Sequence, residues 1–76
     1  MADLKRKMRR YKLMEEHMEL VRKGQYGAAR VLMELLKYGR VTLWLDDSSW
    51  TVELICERVG CRIWYDRRGY RAVAHI

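Results

Sequence analysis

Six basic residues crowd into eight positions near the start of the chain. They are Lys5, Arg6, Lys7, Arg9, Arg10 and Lys12. In a helix that begins before them, each cation lies at the positive end of the helix dipole and is slightly unfavourable there. Because local helix stability does not explain this cluster, we interpret it either as a solvated arm or as a surface that contacts phosphates or acidic side chains.

The second half of the chain carries tryptophans and arginines at two-residue spacing. On a sheet, Trp44, Ile55, Trp64 and Val73 share the outer face with Arg62 and Arg71. Unpaired bases stack on indole rings, and a guanidinium neutralises phosphate. The same residue types anchor protein interfaces, and arginine stems also cover indoles without any ligand. All three interpretations remain open at this point.

A predicted turn near the end of the chain is also basic. Arg67 and Arg68 precede Gly69, and Arg71 follows it. A basic hairpin tip can reach a nucleic-acid backbone. We therefore add Arg67 and Arg68 to the candidate phosphate contacts.

Motifs of catalysis are absent from the sequence. It contains no Gly-rich phosphate loop, nucleophile elbow or H-E-x-x-H motif. The adjacent acidic pair Glu15 and Glu16 cannot act as a general acid and base, because neighbouring side chains on a helix point apart. We predict a protein that is not an enzyme and that needs no cofactor.

The two cysteines do not form a C-x-x-C motif, because Cys56 and Cys61 are five positions apart. A metal site would need them to converge with His17 or His75 from distant parts of the chain. We predict reduced thiols in the core and no metal.

Helical periodicity predicts a helical hairpin before residue 40. The first helix covers residues 3–22 and ends at Gly24, and the second covers residues 25–38 and ends at Gly39. The predicted core stripe of the first helix is Tyr11, Met14, Met18 and Val21, and that of the second is Tyr26, Ala29, Met33 and Leu36, widened by Leu32. The stretch Gly24-x-Tyr26-x-x-Ala29 resembles the centre of a tetratricopeptide repeat, and this resemblance implies two antiparallel helices.

From residue 40 the hydrophobic period changes from 3.6 to 2. Turns at residues 46–49, 57–60 and 66–69 divide this region into four strands of an antiparallel meander. Its inner face reads Val41, Leu43, Leu45, Trp50, Val52, Leu54, Cys56, Cys61, Ile63, Tyr65, Tyr70, Ala72, Ala74 and Ile76. The alternative is a helix over residues 49–59, capped by Ser49.

These elements predict a single α+β domain over residues 1–76, in which an N-terminal αα-hairpin packs on a four-stranded antiparallel β-meander. Residues 1–12 form a basic arm or the first helical turns, residues 13–39 the helical hairpin, and residues 40–76 the antiparallel sheet. The net charge is +6. Without a signal peptide or an apolar run long enough to span a membrane, we expect a cytoplasmic protein without membrane contact.

Two functions fit this sequence. The first is a small basic nucleic-acid-binding module, DNA or RNA, of the accessory or regulatory kind. The second is a small protein-binding module or inhibitor of the phage or mobile-element type, such as an anti-CRISPR-like binder of a host factor. It would use Trp44, Ile55, Trp64 and Val73 on the outer sheet face as an interface to an acidic protein surface or to a second copy in a homodimer.

Overall fold

Three helices and three strands make up the chain in the computed structural model, which describes residues 2–44 and 47–76, and the side chains of residues 4–44 and 49–76. In chain order they are α1 (Ala2–Arg22), α2 (Tyr26–Tyr38), β1 (Arg40–Trp44), α3 (Asp47–Val59), β2 (Arg62–Tyr65) and β3 (Arg71–His75). The α+β class, the helical hairpin and the antiparallel sheet are confirmed. Leu45, predicted on the inner sheet face, and Asp46, predicted to begin a turn, lie outside the described residues.

The sheet has three described strands in the order β1-β3-β2, and both pairs are antiparallel. The prediction of a four-stranded meander is therefore wrong. β3, the last strand in the sequence, lies at the centre and pairs with both others. Its alternate residues Ala72 and Ala74 are buried beneath the helices.

The segment predicted as the second strand instead forms the helix α3, which is the alternative that the sequence left open. Its buried residues Val52, Ile55 and Cys56 recur at three and four positions and lie on one helical face. Trp50 and Leu54, predicted to point into the sheet core, are exposed on the opposite side. Short apolar runs fit both periods, so alternation alone could not identify this segment.

The hairpin between β2 and β3 forms at the predicted turn, but its register differs from the prediction. Ile63 pairs with Ala74 instead of Ala72. The backbone N–H of Asp66 donates to the carbonyl of Arg71 at 2.9 Å, and its carboxylate accepts from the N–H of Tyr70. The shift is two residues, so every side chain keeps its predicted face.

The helical hairpin buries a different face of α1 from the predicted one. Leu13 and Leu20 are buried, whereas Tyr11 and Met18 are 73% and 64% exposed. The predicted stripe therefore lies on the solvent side of α1. On α2, Leu32, Leu35 and Leu36 with Ala28 and Ala29 are buried as the period suggests, while Tyr26 and Met33 are exposed.

Side-chain contacts join the helices to each other and to the sheet. Arg58 of α3 pairs with Glu16 of α1 at 2.7 Å. The Tyr65 hydroxyl of β2 donates to the carboxylate of Glu53 on α3, and this hydrogen bond raises the pKa of Tyr65 to about 12. Both contacts are solvent-exposed, and each contributes at most about 1 kcal/mol. Among the described helices, none has the length and apolar character needed to cross a membrane.

Candidate nucleic-acid interface

One side of the sheet is left uncovered, because the helices pack on the side that carries the buried strand residues. We call the uncovered side the open face. Its outward-pointing residues are Arg40, Thr42 and Trp44 on β1, Arg62 and Trp64 on β2, and Arg71, Val73 and His75 on β3. None of these is acidic. The face therefore combines positive charge with exposed indole rings.

Strand register arranges the open face in three rows. His75 lies between Arg40 and Arg62 at one end of the sheet, and Val73 lies between Thr42 and Trp64 in the middle. Trp44 pairs with Arg71 at the other end. With strands about 4.8 Å apart and residues about 3.4 Å apart, the Cα atoms of Trp44 and Trp64 are about 12 Å apart. The two rings would therefore bind bases that are not stacked on each other.

Neighbouring side chains support both tryptophans. The Arg71 guanidinium lies over the Trp44 ring, 5.5 Å from its centroid, and also lies 4.0 Å from the Asp66 carboxylate. Trp64 contacts the His75 ring edge to face, with centroids 4.7 Å apart. Even so, the two indoles remain more than half exposed. They are oriented by the protein and still accessible to a ligand.

The basic N-terminal helix meets the open face at a cleft of about 500 Å³. Lys5, Arg6 and Arg9 line one wall, while Arg62 and Trp64 line the other together with His75 and Ile76. These residues are far apart in the sequence, and the fold brings them together. The cleft joins the two groups that the sequence identified separately.

Other predicted residues lie elsewhere. Arg10 donates a hydrogen bond of 2.7 Å to the carbonyl of Leu36 in the last turn of α2, so it stabilises that helix end. Lys7 and Lys12 are exposed on α1 but do not line the cleft.

The placement of Ile55 on the outer sheet face is wrong, because Ile55 belongs to α3 and is buried in the core. Arg67 and Arg68 are exposed in the β2–β3 turn. That turn lies at the Trp44 end of the sheet, opposite the cleft.

Sequence reasoning missed the contribution of Arg40. It lines a second cleft of about 800 Å³ at the β1 edge, together with Glu34, Tyr38 and Trp44. The two-residue alternation of β1 contained the signal, because Arg40 precedes Thr42 on the same face. Arg40 adds a cation at this edge of the open face, where Glu34 of α2 lines the same cleft.

Cys56 and Cys61 meet at the end of α3. Gly60 has a φ of 97°, and the N–H groups of both Gly60 and Cys61 donate to the Cys56 carbonyl at 2.9 Å. This Schellman-type ending brings the two side chains together. The Cys56 thiol donates a hydrogen bond to the Cys61 sulfur, which raises the pKa of Cys56 and lowers the pKa of Cys61. Burial raises the pKa of Cys56 further. Burial opposes the shift at Cys61, and the positive charge of Arg9 adds to it.

Both thiols are free, and Cys56 is buried whereas Cys61 is half-buried. Within the described residues, no three or more His, Cys, Asp or Glu side chains are grouped so as to hold a metal ion.

Comparison with known proteins adds nothing to these observations, since no family model, curated protein or solved structure matches the chain.

Proposed function

We propose that this chain is a non-enzymatic cytoplasmic module that binds single-stranded nucleic acid across the open face. The observation that carries the proposal is the cleft in which Lys5, Arg6 and Arg9 of α1 face Arg62 and Trp64 of β2. There, cations suited to phosphates surround an exposed indole suited to a base. This combination is how proteins bind single strands without reading their sequence.

The layout of charge supports a strand that runs along the sheet. Cations lie at both ends of the open face, at the cleft and at the Trp44–Arg71 pair. The five-residue strands span about 17 Å. Arg67 and Arg68 extend the positive surface beyond the Trp44 end. A phosphate backbone lying along this path would meet basic side chains at both ends of the face and Trp64 between them.

The exposed indoles favour a single strand over a duplex. Bases in a duplex are stacked on their neighbours, and only unpaired bases offer a free π-face to a protein ring. Trp44 and Trp64 provide two such exposed rings on the open face. The proposal leaves sequence preference aside, because stacking on indole accepts every base.

The test compares Trp64→Ala with Trp50→Ala in binding to single-stranded oligonucleotides at low salt. Trp50 is the matched control, since it is as exposed as Trp64 but lies on α3, away from the open face. We expect Trp64→Ala to weaken binding about 5- to 150-fold, the effect of one lost base stack, and Trp50→Ala to leave it unchanged. Absence of binding by the unmodified chain, or equal losses in both variants, would refute the proposal.

A protein partner is the second candidate, because Trp44, Trp64 and Val73 form an apolar strip between arginines. Tryptophan and arginine dominate the energy of protein interfaces. The burial of Ile55 removes one of the four anchors on which this alternative relied. Two results together would favour the protein partner. The chain would have no affinity for DNA or RNA, and Trp44→Ala and Trp64→Ala would each abolish a protein complex or a homodimer formed through the open face.

A further inference from the structure

The two cysteines of the chain are in contact where α3 ends. Cys56 lies in the last turn of α3, and Cys61 directly precedes β2. The N–H of Cys61 donates to the carbonyl of Cys56 at 2.9 Å, which holds the two backbones together. In a helix ending of this type, the side chains at these two positions usually form an apolar contact. Here both side chains are thiols, which can undergo chemistry that an apolar pair cannot.

We propose that Cys56 and Cys61 form a reversible redox site, in which a low-molecular-weight disulfide oxidises the two thiols to an intramolecular disulfide. The observation that carries the inference is the pairing of a buried thiol with an accessible one. Cys56 has no exposed surface, whereas Cys61 is half-buried. An accessible thiol beside a second thiol that can resolve it is the arrangement found in redox-sensing cysteines.

The charges around the pair give the two thiols different roles. The hydrogen bond to Cys61 and burial raise the pKa of Cys56, and the negative charges of Glu53 and Glu57 act in the same direction. At Cys61 the hydrogen bond from Cys56 lowers the pKa, burial opposes this change, and the positive charge of Arg9 lowers the pKa further. Arg9 forms no ion pair with a described acidic side chain. Cys61 is therefore the attacking thiol, because thiolate character and access both favour it.

The reaction has two exchange steps. The Cys61 thiolate attacks one sulfur of the small disulfide, the bond between its two sulfurs breaks, and the departing thiolate takes up a proton. Cys56 then loses its proton and attacks the Cys61 sulfur of the mixed disulfide, which displaces the second small thiol. Two cysteine thiols are oxidised, and one small disulfide is reduced to two thiols. The protons of the cysteines end on the released thiols.

The redox site lies beside the cleft. Arg62 follows Cys61 in the chain, and both Arg62 and Arg9 line the cleft. A disulfide would fix the last turn of α3 to the residue that precedes β2. The inference does not depend on the proposed function, because the exchange is measured without any nucleic acid.

The experiment equilibrates the chain in mixtures of reduced and oxidised glutathione and measures the products by mass spectrometry. The chain contains two cysteines, so a monomer that loses the mass of two hydrogen atoms has formed the disulfide between Cys56 and Cys61. The matched control is the same chain unfolded in urea, where the helix ending is lost. We expect the equilibrium constant for forming the disulfide to be at least about tenfold larger in the folded chain.

Urea denaturation gives an independent readout. The folded and unfolded chains, each reduced or oxidised, form a closed thermodynamic cycle. A disulfide that folding favours must therefore favour the folded chain by the same factor. The oxidised chain should unfold at a higher urea concentration than the reduced chain.

Two variants test the roles of the thiols. Cys56→Ala should stop at the mixed disulfide and keep one glutathione on Cys61, because no second thiol displaces it. Folded Cys61→Ala should stay unmodified, because Cys56 is buried. If it takes up glutathione as readily as Cys56→Ala does, Cys61 is not the attacking thiol.

Equal equilibrium constants in the folded and unfolded chains, or a lower urea midpoint after oxidation, overturn the inference. So does a folded chain that keeps one glutathione and forms no internal disulfide. The comparison of folded and unfolded chains uses no variant, so it decides the question even if Cys56→Ala does not fold.

Discussion

Replacing Lys5, Arg6 and Arg62 together by glutamine removes three cations that surround Trp64 at the cleft. If each contacts one phosphate of a single strand, each releases bound counterions on binding. The slope of log K against log salt should then become shallower by about 0.7 per contact, or about 2 in total. Raising the salt from 50 to 200 mM weakens binding by some factor in each protein. That factor should be about 18 times smaller for the variant than for the unmodified chain.

The matched control removes the same charge elsewhere. Lys23, Arg30 and Lys37 are exposed on the helical side, and none lies on the open face. Their glutamine variants should leave the salt slope nearly unchanged, because they contact no phosphate. Fluorescence anisotropy of a labelled oligonucleotide over a salt series measures both variants. Equal slopes in the two variants would refute the placement of phosphates at the cleft, even if total binding fell.

Three further predictions concern the helical layer. Leu13→Ala should lower the free energy of unfolding by about 2–5 kcal/mol in urea denaturation, whereas Met18→Ala should change it by less than about 0.5 kcal/mol, because only Leu13 is buried. Equal losses would contradict the observed packing of α1. Arg10→Ala should lower the free energy of unfolding by about 1–2 kcal/mol, because the Leu36 carbonyl at the end of α2 loses its charged donor. An unchanged midpoint of urea denaturation would show that Arg10 does not stabilise α2. Arg9→Gln should raise the pKa of Cys61, because the positive charge of Arg9 lowers it. Alkylation of Cys61 by iodoacetamide should then reach its half-maximal rate at a higher pH. A shift to lower pH would contradict the placement of Arg9 near Cys61.

The sequence predicted the helical hairpin and the β2–β3 turn because their signals are local. Gly24 and Gly39 follow the two helices at the expected positions, and the turn that begins at Asp66 contains the expected residues. The choice of the buried face of α1 was wrong for a physical reason. Both sides of this helix carry apolar residues, and the side with more of them faces solvent. Periodicity finds an apolar stripe without identifying what covers it.

Residues 47–59 show where alternation fails. Val52 and Cys56 are buried in the helix and would also be buried in a strand, so they do not distinguish the two. Ile55 does, because a strand exposes it on the outer face and the helix buries it in the core. Tertiary packing decided between two patterns that the local sequence supports equally.

The candidate site was predictable in its parts but not in its assembly. The basic cluster and the Trp64 strand were both identified, yet nothing in the sequence places Arg6 beside Arg62. Their shared cleft depends on how the whole fold places α1 relative to β2. Arg10 illustrates the converse, since its neighbours in sequence suggested a phosphate contact and its structural role is to stabilise α2.

Under the proposed function, the arginines of the open face that lack an ion pair would contact phosphates. In the helical layer, Arg22 pairs with Glu19 and Arg58 pairs with Glu16. On the open face, Arg71 lies against Asp66, whereas Arg40 and Arg62 have no acidic partner among the described residues. Unpaired like charges on one surface repel each other and weaken the folded state. Arg40 and Arg62 flank His75 at one end of the sheet, and a phosphate bound there would relieve this repulsion.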